Sequence, residues 1–181
     1  EDFMPDRIKS DLKLNKEDFG IGEEITSSVQ ADNLFGTPAA NRNYEWELNL
    51  DKTPFEAKGY EEYNFEIKKD FSFNTVFRSG KTDGAGHAAE TIALGNELEE
   101  TGLLKGNIRA TVFDETGRPV HRYARFNVYT QPVFIGIRNF NDYVGTRTPL
   151  RIGLIALDRK GGIQRQQVTV TVVRKEWQNV I

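Results

Sequence analysis

Residues 44–50, Tyr-Glu-Trp-Glu-Leu-Asn-Leu, alternate apolar and polar side chains without a break. A period of two fits a strand with one face buried and one face wet, as in antiparallel sheets. The shared parity of Tyr44, Trp46, Leu48 and Leu50 assigns all four to the core side. The same period recurs in Ile8–Leu14, in Glu24–Asp32 running on to Phe35, and in Tyr60, Tyr63, Phe65 and Ile67. It returns in a shorter strand ending near Leu94, in Asn107–Phe113 and in Val120–Tyr129. Between Lys81 and His87 the dipeptide Asp83-Gly84 reads as a hairpin signal, and Gly95–Lys105 reads as a loop. No segment of helical period is long enough to compete. About seven strands separated by turn chemistry predict an all-β fold, an antiparallel Greek-key β-sandwich of the immunoglobulin or fibronectin III kind. Its expected core contains Leu12, Leu14, Ile25, Val29, Trp46, Leu48, Ile92, Ile108, Val112 and Phe126.

Two punctuation points divide the chain. Asn33-Leu34-Phe35-Gly36-Thr37-Pro38-Ala39-Ala40 must end the strand before it. Gly36 can take positive φ, Pro38 lacks a donor, and Thr37 before it is biased toward extended geometry. Gln131-Pro132 reads as a domain boundary, giving domains 1–131 and 132–181. Past it, Val133–Arg138, Leu150–Asp158 and Gln167–Val173 read as three strands, joined by turns at Asn139–Asp142 and Asp158–Gly162. Three strands make half of a sandwich, so the second domain is expected to be a partial β-sandwich whose apolar strands need a cover. That cover could come from the first domain, from a second copy of the chain or from residues absent here. The chain does not open on an initiator Met, which reads as a piece of something longer.

Few function classes fit the composition. A net charge of −3 offers no positive field to nucleic acid or anionic lipid. With no cysteine there is no disulfide, thiolate metal site or cysteine nucleophile. Gly80-Lys81-Thr82 ends like a phosphate-binding loop, but the motif needs glycine where Thr75 stands. Gly84-x-Gly86-x-x-Ala89 follows no buried strand and opens no long helix, so the dinucleotide reading fails. His87 and His121 are isolated from one another in sequence and read as surface histidines rather than a zinc site. Glu97, Glu99 and Glu100 could supply paired carboxylates for glycoside hydrolysis but read as a solvated loop. Asn139, Asn141 and Asp142 offer calcium-type oxygens without EF-hand spacing. Trp46, Tyr60, Tyr63, Phe71 and Phe73 raise a sugar-stacking alternative, for which Phe71 and Phe73, set in a polar stretch, are the best candidates for exposure. The expectation is a non-enzyme with no catalytic, cofactor-binding or metal-binding residues. Its runner-up is a stand-alone binding module for glycans or adhesion.

The order of these motifs resembles one family. Leu34-Phe35-Gly36-Thr37-Pro38-Ala39 is similar to the Leu-Tyr-Gly-Ala-Pro-Ala turn of bacterial alpha-2-macroglobulins, in one of their macroglobulin-like β-sandwich domains. Glu1-Asp2-Phe3-Met4-Pro5-Asp6-Arg7 resembles the entry to that domain, and Gly117-Arg118-Pro119-Val120 the turn into its last strand. Phe134-Ile135-Gly136-Ile137-Arg138, Ala156-Leu157-Asp158 and Val173-Arg174-Lys175-Glu176-Trp177 resemble the start of the next domain, which precedes a protease-sensitive bait region. The likeness is collinear over nearly the whole chain and is poorest from Asp51 to Gly80. It implies a scaffold module of a bacterial protease trap, an endopeptidase inhibitor in the periplasm or cell envelope. Its partners would be the other macroglobulin-like domains, with target proteases engaged only by the full-length protein. The bait and the thioester would lie elsewhere, since this chain has no cysteine to form one.

Overall fold

The structure, a computed structural model, describes residues 7–139 and 149–173. Among the described residues eleven strands run in chain order: β1 Ile8–Leu14, β2 Asp18–Gly20, β3 Glu24–Asn33, β4 Asn43–Thr53, β5 Tyr63–Asn64, β6 Val76–Lys81, β7 His87–Ala93, β8 Leu103–Phe113, β9 Pro119–Tyr129, β10 Val133–Arg138 and β11 Leu154–Asp158. Among the described residues the only helical element is a 3-10 turn at Asn96–Leu98, inside the stretch predicted as a loop. A three-stranded sheet, β1-β3-β7, packs on a five-stranded one, β2-β9-β8-β4-β6, and a small sheet, β11-β10-β5, stands beside them. All pairings are antiparallel except β2 on β9, which is parallel.

The core lies between the first two sheets. Tyr44, Trp46, Leu48 and Leu50 are all buried, together with Ile25, Val29, Ile108, Val112 and Phe126, while Leu12, Leu14 and Ile92 are half-buried against them. Parity therefore placed every expected core residue on the correct face. Trp46 is 2% exposed, and its Nε1 donates to Ser27 Oγ at 2.8 Å, tying β4 to β3 across the interior. Tyr44 makes a second inter-sheet link, its hydroxyl donating to Glu90 Oε1 of β7 at 2.5 Å. Arg122 of β9 closes one margin by donating from Nε to the Ser10 carbonyl of β1.

Three expectations need correction. The sandwich has eight strands rather than seven, because β2 and β6 join it while the Tyr60–Ile67 segment does not. Only Tyr63–Asn64 of that segment forms a strand, and it pairs with β10 in the small sheet. Asp83-Gly84 is no hairpin turn: β6 belongs to the five-stranded sheet and β7 to the three-stranded one, so the chain crosses between sheets there. Gln167–Val173 forms no strand, and its valines are exposed, with no strand among the described residues beside them. The small sheet takes its third strand from the loop between β4 and β6 instead.

Four turns share one design. Asn33, Asp83, Asp114 and Asp158 each accept at their carbonyl from the N–H of a glycine three residues on. Each also donates its own N–H to the carbonyl four residues on. The glycines, Gly36, Gly86, Gly117 and Gly161, have φ of 80, 74, 82 and 82°. This is a type I turn followed by a left-handed bulge residue. The three aspartates add Oδ1 as acceptor for the amides two and four residues on.

Candidate interaction surfaces

The structure disperses most of the residues in the sequence that could carry chemistry. His87 is exposed beside Asp83 at 4.0 Å, and His121 sits on another sheet with Nδ1 2.9 Å from Thr111 Oγ1. No group of three His, Cys, Asp or Glu side chains capable of holding a metal ion occurs among the described residues. Glu97 folds back beside Gly95, and the Glu99 carbonyl accepts from Lys69 Nζ at 2.6 Å. Glu99 and Glu100 line a shallow cleft of about 770 Å³ with Tyr129, Pro132, Asp158 and Arg159, where the sandwich meets the small sheet. Thr82, the last residue of the loop-like Gly80-Lys81-Thr82, is buried and holds Ala39 O and Arg42 N through its hydroxyl. Asn139 N–H donates to Glu62 O. Asn141 and Asp142 lie outside the described residues.

The proposed sugar platform does not form. Trp46 is in the core, Phe71 and Phe73 are half-buried against it rather than exposed, and Tyr60 and Tyr63 pack on a second cluster. In that cluster Phe55 stacks on Phe134 at 4.1 Å between centroids, Phe65 meets Phe55 edge-on at 5.2 Å, and Leu157 is fully buried. Residues 54–65 thus cover one face of the small sheet. On the opposite face Ile137 and its register partner Leu154 are exposed, as are Leu150 and Ile152 in the segment leading into β11.

Sequence reasoning missed the exposed aromatics. Phe35, at the tip of the Asn33–Ala40 turn, is 97% exposed. Phe77 on β6 and Tyr123 on β9 are 64% and 61% exposed. The last two share the outer face of the five-stranded sheet, which the pairing register organises into rows. One row runs Ser79, Glu45, Thr111, His121. The next runs Phe77, Glu47, Arg109, Tyr123, with Arg109 donating to Glu47 at its centre. The third places Asn49 beside Asn107 and Arg125, and Thr75 donates to Asn49 Oδ1. The fourth places Asp51 beside Lys105 and Asn127. A depression of about 570 Å³ lies among Glu45, Glu47, Phe77, Arg78 and Arg109. The β4 side of this face is acidic and the β8–β9 side basic. The outward parity of Tyr123 within Val120–Tyr129 was a signal that could have found it, whereas β6 buries too little to mark Phe77.

The carboxyls of the turns are shifted by their local partners. The Gly162 N–H holds Asp158 below the usual carboxylate range, the His87 N–H does so for Asp83, and the Thr116 hydroxyl for Asp114. Burial, reinforced by Glu90, pushes the Tyr44 hydroxyl up to about 12.

Comparison with known proteins places these elements in a context. Residues 6–129 match the family model described as the bacterial alpha-2-macroglobulin MG5 domain. An alpha-2-macroglobulin of Pasteurella multocida is 26% identical over 191 aligned residues, covering 100% of this chain and 10% of the relative. One from Rickettsia conorii is 29% identical over 167, covering 88% and 9%. The chain therefore spans about a tenth of the length of the curated relatives it matches. Among solved structures, the native conformation of E. coli alpha-2-macroglobulin superposes with a TM-score of 0.66 at 21% identity, over 89% of this chain and 11% of that one. The trypsin-activated form gives 0.64 at 19%, over 88% and 12%. At such identities the superpositions speak for the fold.

Proposed function

We propose a scaffolding role for this chain, which belongs to the bacterial alpha-2-macroglobulin family and supplies a macroglobulin-like module of such a protein. In this reading it is a non-catalytic part of a protease trap in the periplasm or cell envelope. Residues 1–131 are one macroglobulin-like domain and 132–181 the beginning of the next. The trap's bait and any thioester lie outside it, and its partners are the neighbouring domains of the same protein. No helix among the described residues is long and apolar enough to cross a membrane.

The observation that carries the reading is the joint between the two parts. β10 pairs with β5, and Phe134 stacks on Phe55, so the chain leaves the sandwich through a packed contact rather than a free linker. A packed joint fixes the direction in which the next domain is built. That is what a module in a ring of domains must do, and it serves neither catalysis nor ligand capture. The exposed pair Ile137 and Leu154 on the small sheet supports the same reading, since exposed apolar residues together recruit a cover.

The test is to incubate the chain with broad-specificity endopeptidases and follow cleavage of a large protein substrate and of a small peptide substrate. Neither rate is expected to change, and glycan titration is expected to show no saturable heat. Deleting 7–131 from a longer relative that traps protease is expected to abolish selective protection of the large substrate. Stoichiometric protection by the isolated chain would overturn the scaffold reading, and saturable glycan binding would restore the alternative.

A further inference from the structure

We propose that Leu34 and Phe35, at the tip of the turn between β3 and β4, are an apolar anchor that docks into a pocket of the domain joined to this chain on the N-terminal side of β1. The inference rests on the scaffold reading, since it needs a neighbouring domain of the same protein. An internal repeat carries the argument. β1, β3 and the turn after β3 recur as β10, β11 and the turn after β11, at one constant offset in sequence. Ile8 opposite Asn33 becomes Val133 opposite Asp158, and the bridge between Asp32 and Pro38 becomes that between Leu157 and Ile163. The hydrogen bond from Ala39 N–H to the Ala31 carbonyl becomes that from Gln164 N–H to the Ala156 carbonyl, and Gly36 becomes Gly161.

In its second occurrence this unit shows what the turn meets. Asp158, Arg159 and Lys160 line the cleft shared with Glu99, Glu100 and Tyr129 of the sandwich before it. A Cβ on Gly161 would lie 3.8 Å from that of Ala57, in the loop after β4. The turn of an entering unit therefore lies against the exit end of the preceding sandwich. In the first occurrence the same turn has no such neighbour among the described residues, and Phe35 is 97% and Leu34 58% exposed. Residues leading into β1 emerge beside this tip, because Ile8 is the register partner of Asn33. Where Arg159 and Lys160 share a cleft with carboxylates, Leu34 and Phe35 call for an apolar pocket. Turn geometry does not require them, since the other turns of this design centre on Gly84-Ala85, Glu115-Thr116 and Arg159-Lys160. Nor is the tip loosely held. Asn33 Nδ2 donates to Thr37 Oγ1 at 3.1 Å and to the Pro38 carbonyl at 3.3 Å, and the buried Ala39 accepts at its carbonyl from Thr82 Oγ1 at 2.7 Å. An aromatic anchor fixed in this way docks with little loss of loop entropy.

The experiment compares the full-length protein with the 181-residue chain. Amide exchange at Leu34 and Phe35 is expected to be at least about tenfold slower in the full-length protein, and Phe35→Ser to remove the difference. In the 181-residue chain Phe35→Ser is expected to move the melting temperature by no more than about 2 °C, because the ring touches nothing there. A photo-reactive benzoylphenylalanine in place of Phe35 in the full-length protein is expected to cross-link into the domain on the N-terminal side of β1. Equal exchange in the two proteins, a cross-link into the domain after residue 131 or into a second copy, or a chain that Phe35→Ser unfolds by itself overturns the proposal. Protection of a large substrate from proteases, measured on the same full-length protein, tests the trap reading separately. A protein that traps protease while Phe35 stays accessible loses only the docking, and one that docks Phe35 but protects nothing loses only the trap.

Discussion

Asn33, Asp83, Asp114 and Asp158 each open a turn of one design, yet their glycines do not tolerate change equally. A Cβ on Gly86 would lie 2.2 Å from the Ala31 carbonyl, whereas one on Gly117 would meet nothing within 4 Å. Gly117→Ala therefore costs only the left-handed strain of an alanine, about 1–2 kcal/mol. Gly86→Ala adds a clash with the β3 backbone at Ala31 and is expected to cost at least about 3 kcal/mol. Parallel thermal melts should show that order. The aspartates of the turns contribute to the acid limb, together with Glu23 and Glu61. Their carboxyls titrate below the ordinary value when folded. Their contribution is complete above an unfolded pKa of about 3.9 and disappears as pH falls through the lowered folded values. In Asp114→Asn the acid limb of stability against pH should flatten. Tyr44 acts at the other end. Its raised folded pKa of about 12 leaves its contribution whole below an unfolded value of about 10. That contribution is lost as pH rises from there to the folded value. Burial also raises Tyr129, so titrating tyrosinate absorbance in the folded protein should show late tyrosines of which Tyr44→Phe removes one.

At the scale of elements, β4 governs the sandwich because it lies inside the five-stranded sheet and its alternation aims Trp46 at Ser27. Trp46→Phe loses that hydrogen bond and part of the ring volume, an expected cost of about 2–3 kcal/mol in denaturant unfolding. Strands that bury one face, such as β3, β4 and β8, were legible because burial itself writes the period of two. Strand β6 was not, since it is an edge with Phe77, Arg78 and Ser79 all exposed, and a strand with little to bury carries little pattern. Strand β2 escaped for its three residues, although Phe19 is fully buried against Phe126 at 5.3 Å. The opposite error fell on Gln167–Val173, whose β-branched residues have the propensity of a strand but pair with no edge among the described residues. The same loss explains the candidate surface: Phe77 and Tyr123 are distant in sequence and join one row only through two intervening strands. Hydrogen exchange should separate these cases, with amides of β4 and β8 slow and those of 167–173 fast. Strong protection of 167–173 would mean that this segment has found a partner strand.

For the whole molecule, the arrangement of its two cores decides how it comes apart. The main core is enclosed by the three- and five-stranded sheets and contains, among the described residues, none beyond Val128. The second core joins Phe55, Ala57 and Phe65, from the loop after β4, to Phe134 and Leu157. A chain cut after residue 131 keeps the first core intact and strips the cover from Phe55, Phe65 and Tyr129. The converse fragment, from 132 onward, has only β10 and β11 as paired strands among its described residues, and a lone hairpin is marginal at best in water. The 1–131 fragment is therefore expected to unfold cooperatively at a lower temperature than the whole chain, with Trp46 fluorescence still that of a buried ring. It should also bind a hydrophobic dye that the whole chain binds less. Phe134→Ala in the whole chain should reproduce most of that loss, about 3–5 kcal/mol, because it removes the ring stacked on Phe55. A fragment that melts like the whole chain would mean the second core stabilises nothing in the sandwich. A fragment that fails to fold would make the two cores one cooperative unit, and the boundary at Gln131-Pro132 would then lie inside a domain.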